Sequence, residues 1–108
     1  YNSLGSYYQE IGNFRKAIEL YVLALRHTNS LYERSVFSNN IGTLLLENSH
    51  DEEALGYLRH ALAHYQQLIA RDPGQQSVEL SGKILANLGI SNTRLRRFGE
   101  ANQYFNNA

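Results

Sequence analysis

Apolar residues recur at helical spacing from the first residue onward. Tyr1, Leu4 and Tyr8 are three or four apart, and Gly12-Asn13 then interrupts the series. Phe14, Ala17, Ile18, Tyr21, Ala24 and Leu25 resume it. These two runs predict a helix over about 1–11, a tight turn, and a helix over about 14–27. His27-Thr28-Asn29-Ser30 is a polar connection, and Ser30 with Glu33 three residues on has the form of a capping box. A third helix is predicted from there to about Glu47, with Phe37, Ile41, Leu44 and Leu45 on one face. Asn48-Ser49-His50 predicts the next turn. Asp51, Glu52 and Glu53 then place negative charge at the positive end of a fourth helix. Its stripe is the longest in the chain: Ala54, Leu55, Leu58, Ala61, Leu62, Tyr65, Leu68 and Ile69. Arg71-Asp72-Pro73-Gly74 stops it, because proline opens a helix but is not accommodated inside one. A fifth helix is predicted over about 75–93 with Val78, Leu85 and Leu88 inward. A break at Asn92–Arg97 follows, and a sixth helix begins near Phe98.

The pattern repeats. Ile41-Gly42 copies Leu4-Gly5 after 37 residues, and Ala54 copies Ala17 at the same distance. Leu88-Gly89 gives a third copy 47 residues beyond Ile41-Gly42, and Ala101 stands 47 beyond Ala54. Two anchors agree at each step. Gly5, Gly42 and Gly89 fall within helices, where glycine costs about 1 kcal/mol against alanine. They are therefore expected at close helix–helix contacts. Asp51 stands where Phe14 and Phe98 stand in the other copies, Asn92 replaces Tyr8 and Leu45, and Asn102 replaces Ile18 and Leu55. The third copy is thus the weakest.

An aromatic residue, Leu-Gly, Tyr, and then Ala, an aromatic and Ala at these offsets (Tyr1, Leu4-Gly5, Tyr8, Ala17, Tyr21, Ala24) resemble the tetratricopeptide repeat. The 37- and 47-residue spacings exceed the usual ~34, so the resemblance is closer to long-helix arrays of the kinesin-light-chain and LGN-like type. It implies an all-α, right-handed solenoid of three helical hairpins, with repeats at about 1–30, 31–72 and 73–108. It also implies that the first helix of each repeat lines a concave groove. The residue before the Leu-Gly pair is often asparagine in long-repeat members, binding the backbone of an extended peptide. Ser3, Asn40 and Asn87 hold that place here. Asn39, Thr43, Lys83, Ile90 and Arg94 share the face by helical spacing. The alternative for the asparagines is hydrogen bonding between helices. Of the carboxylate clamp of chaperone-binding members, Asn40 and Lys83 fit, but Asn2, Ser6 and Asn87 do not match.

Bulk properties narrow the functional classes. The 108 residues carry ten basic and ten acidic side chains, which is no electrostatic footprint for nucleic acid. There is no cysteine, so disulfides, cysteine–zinc sites and thiol catalysis are excluded. No apolar run approaches the ~18 residues of a membrane span. The opening at an aromatic residue already inside a helix reads as a piece of a longer array, and a cytoplasmic location is expected.

Candidate chemistry is sparse. His60 and His64 share a helix face, but Ala61 follows His60 where a zinc peptidase needs glutamate. The pair is either a two-histidine metal site or a solvent-facing pair. Asp51, Glu52 and Glu53 diverge by about 100° per residue and do not converge on one substrate atom. Arg94, Arg96 and Arg97 form a basic turn, either solvated or meeting an acidic partner. The expectation is a non-catalytic module without cofactor or metal that binds a protein or extended peptide in its groove. It contacts neither nucleic acid nor membrane, and self-associates through its end hairpins. The alternative is a regulatory or oligomerising segment of a larger signalling or transcription-regulatory protein.

Overall fold

The computed structural model describes the backbone of residues 12–107 and the side chains of residues 12–96. The predicted helix over 1–11, with Ser3 and Gly5, lies outside the described residues. So do the side chains of Phe98, Ala101, Phe105 and Ala108. Within the described part the chain is all-helical: α1 Phe14–His27, α2 Leu31–Glu47, α3 Asp51–Arg71 and α4 Val78–Asn107. A 3-10 turn over Pro73–Gln75 precedes α4.

Local chemistry sets each boundary. Gly12 takes a φ of +82°, and the Asn13 carboxamide oxygen accepts from the Lys16 amide at 3.2 Å, capping α1. Ser30 Oγ accepts from the Glu33 amide at 3.2 Å to start α2. Only half of the capping box forms, because the Ser30 amide donates to Thr28 Oγ1 at 3.1 Å instead. At the end of α2, Ser49 adopts a φ of +63°. The His50 and Ser49 amides then return to the carbonyls of Leu45 and Leu46, a Schellman arrangement. Asp72 accepts from the Gly74 amide at 3.1 Å, and Pro73 ends the α3 register. Ser77 Oγ accepts from the Leu80 amide at 3.2 Å and opens α4.

The three-residue links before α2 and α3 make successive helices antiparallel neighbours. α2 is the hub and packs against α1, α3 and α4. It is therefore buried on most of its circumference, from Ser35 and Phe37 through Ile41 to Leu46. Its neighbours supply Ala17, Tyr21 and Ala24 from α1 and Ala54 and Leu58 from α3, forming one core cluster. A second cluster joins Ala61 and Tyr65 of α3 to Leu80 and Ile84 of α4. Some of the buried polar groups are matched between elements. Ser35 Oγ donates to the Ala61 carbonyl at 3.0 Å. Tyr65 Oη accepts from the Ser77 amide at 2.9 Å and faces the Ser77 carbonyl at 3.2 Å.

Three expectations are corrected. The fifth and sixth helices are one: α4 runs unbroken from Val78 to Asn107. Asn92-Thr93-Arg94-Leu95-Arg96-Arg97 contains neither glycine nor proline, and its neighbours are tied down in helical register. Ser91 Oγ donates to the Asp51 carbonyl at 3.1 Å, and Arg94 reaches the Leu46 carbonyl at 2.8 Å. The helix also starts at Val78 rather than 75, because the 3-10 turn takes up the first residues. Second, Val78 and Leu85 point outward, 86% and 56% exposed. The inward face of α4 is Leu80, Ile84, Leu88 and Ser91, with Leu88 half-buried. Third, the glycines differ. A Cβ at Gly42 would stand 2.6 Å from Leu58, so helices do approach closely there, whereas one at Gly89 would meet nothing within 4 Å.

Candidate functional site

The predicted groove residues fall on the seam between α2 and α4, and they divide into two kinds. Asn39, Thr43 and Asn87 bond to one another. Asn87 Nδ2 donates to Asn39 Oδ1 at 3.1 Å and to Thr43 Oγ1 at 3.0 Å, and Thr43 Oγ1 donates to the Asn39 carbonyl at 2.9 Å. Asn39 is buried. Both Nδ2 hydrogens of Asn87 are committed, so its amide braces the two helices. Arg94 is committed as well, through the Leu46 carbonyl and Asp51 Oδ1 at 3.2 Å. The basic turn expected around it is instead part of α4, and Asp51 at the start of α3 neutralises Arg94.

The second kind stays open. Asn40 is half-buried, and its side chain forms no hydrogen bond among the described residues. It lines a small cleft of about 170 Å³ with Tyr32, Val36, Asn39 and Lys83. Lys83 pairs with Glu79 at 3.2 Å, but both side chains are well exposed. Such pairs contribute little and separate readily. Tyr32 is 47% exposed. Ile90, 45% exposed, sits further along α4 and is not part of this cleft. The seam thus brings Asn39, Asn40 and Lys83 to one depression, and sets Ile90 and Arg94 apart from it.

A larger cleft of about 490 Å³ opens elsewhere, between α1 and α3 over α2, where no groove residue was predicted. Leu25, Ser38, Gly56 and Tyr57 form its walls, and Arg26, Arg34, His60 and His64 stand around it with Glu53. The His60 and His64 rings stack at 6.3 Å between centroids. Burial, then the Arg34 charge, then His60 push the His64 imidazole below its ordinary pKa. Among the described residues no group of three or more His, Cys, Asp or Glu side chains could hold a metal. The sequence signal for this cleft was the histidine spacing together with Gly56 inside a helix; periodicity alone does not bring three helices together.

No helix among the described residues is long and apolar enough to cross a membrane. No family model, curated protein or solved structure matches the chain.

Proposed function

We propose that the chain is a non-catalytic interaction module of tetratricopeptide-repeat type, built as a right-handed stack of helical hairpins that binds an extended peptide along the α2–α4 seam. The observation that carries this reading is the uncommitted Asn40 amide beside Lys83 and Tyr32. A carboxamide gives and takes hydrogen bonds at once, which suits a peptide backbone with alternating donors and acceptors. Lys83 favours an acidic residue in the ligand, and the Tyr32 ring offers an amphipathic platform. Asn39, Thr43 and Asn87 support the seam from beneath, and Ile90 extends it along α4.

Panning a random linear peptide library against the chain tests this. The expected result is a set of acidic peptides whose binding falls by about tenfold in Asn40→Ala with Lys83→Ala, equivalent to ~1.4 kcal/mol. Enriched peptides indifferent to both changes would overturn the assignment.

A second reading, self-association within a larger regulatory protein, is favoured by one observation. Val78 and Leu85 are both exposed and seven residues apart on α4, so they form one apolar stripe.

A further inference from the structure

The cleft between α1 and α3 has three properties that the packing of the fold does not require. The first is Gly56. It lies inside α3, where glycine is unfavourable, and a Cβ there would meet nothing within 4 Å. No close helix contact explains it, in contrast to Gly42. Its effect is to leave the wall of the cleft open.

The second is a pair of buried polar atoms without partners, Ser38 Oγ and His64 Nδ1. Ser38 is fully buried, and both residues line this same cleft. Buried polar atoms are nearly always hydrogen-bonded, so two orphans on the lining of one cleft mark a place where a partner is missing.

The third is charge. Arg34 Nε donates to the Thr28 carbonyl at 3.1 Å, which fixes the guanidinium. No acidic side chain among the described residues pairs with Arg34 or Arg26. Arg34, His60 and His64 all line the cleft, and the His60 and His64 rings stack. Glu53, the acidic residue of the lining, lies seven residues from His60 along α3, roughly 10 Å at 1.5 Å per residue.

From these we infer that the cleft is a binding site for a small organic acid, with an apolar body against Leu25, Tyr57 and Gly56 and a carboxylate toward Arg34, Arg26 and the histidines. Its volume lies within the range of small-molecule sites, ~300–1,000 Å³. A carboxylate accepts from several donors at once, and guanidinium groups hold it in two-pronged geometry. The site is on a different face from the α2–α4 seam and does not rest on the peptide reading.

The test uses octanoate as the probe and 1-octanol as its uncharged counterpart, followed by amide chemical shifts of the whole chain. Octanoate should give saturable shifts at Ser38, Gly56, His60 and His64, and bind at least tenfold more tightly than 1-octanol. Gly56→Leu fills the opening while improving helix propensity, so it should fold, melt later and lose the octanoate response. Arg26→Gln, at an exposed position, should weaken octanoate several-fold and leave 1-octanol unchanged. If Gly56→Leu fails to fold, Arg26→Gln alone decides. Equal binding of acid and alcohol, binding that survives Gly56→Leu in folded protein, or no octanoate response would each overturn the assignment.

Discussion

At position 42 the Leu58 side chain leaves no room for even a methyl group. Leu58 is itself fully buried, so it cannot swing aside. Gly42→Ala therefore sets a helix-propensity gain of about 1 kcal/mol against an overpacking cost of ~1–3 kcal/mol. A net loss is expected, read as a lower denaturant midpoint. Asn87→Ala removes two hydrogen bonds and leaves buried Asn39 Oδ1 without its donor. The expected cost is ~1–3 kcal/mol. A melt unchanged in this variant would show that the brace is not formed. His64 gives a pH signature. Its folded pKa is below its unfolded value of 6.5, so the unfolded chain takes up the proton first as pH falls. The stability contributed by neutral His64 is whole above 6.5 and declines as pH drops from there to the lower folded value, where the loss levels off. Chemical denaturation across this window should show the slope, and His64→Gln should flatten it.

The helices differ in how far their residues announce them. α1, α2 and α3 were legible because their ends carry unambiguous chemistry: the Gly12-Asn13 break before α1, Ser30 as a cap, three acids opening α3, and Pro73 after its end. The inner face of α4 was not legible. Its contacts include the hydroxyl of Ser91 and the amide of Asn87, and a search for apolar spacing passes over polar residues that bond in the interior. Apolar spacing picks out Val78, Leu85 and Leu88, of which Leu88 alone packs inward. The break at 92–97 was inferred from repeat spacing without a glycine or proline to enforce it. Continuity of α4 can be measured directly. Spin labels at positions 85 and 103 should lie about 27 Å apart along a straight helix at 1.5 Å per residue. A hairpin would bring them much closer. The turn after α2 offers another check. Ser49 bears a left-handed backbone, which costs a residue with a Cβ ~1–2 kcal/mol. Ser49→Gly should raise stability by about 0.5–1 kcal/mol once glycine's own entropy is counted.

On the scale of the whole molecule, the exposed stripe of Val78 and Leu85 is the surface on which the proposed self-association would rest. Sedimentation of the chain at rising concentration should show dimer formation that Val78→Glu with Leu85→Glu removes. A strictly monomeric parent would count against self-association. The amide brace and the Ser91 and Arg94 bonds have a different consequence. Helical arrays held together only by adjacent contacts can lose their elements one at a time, from the edge inward. Here Asn87 and Arg94 of α4 reach past α3 to residues 48 positions earlier, on α2. Removing α4 alone would strip a donor from the hub of the fold, so fraying from that side is suppressed. Native-state hydrogen exchange should then find α2, α3 and the stretch from Leu80 to Arg94 opening as a single foldon with one common free energy. In Asn87→Ala with Arg94→Ala, that foldon should split, and the amides of α4 should become the first to exchange.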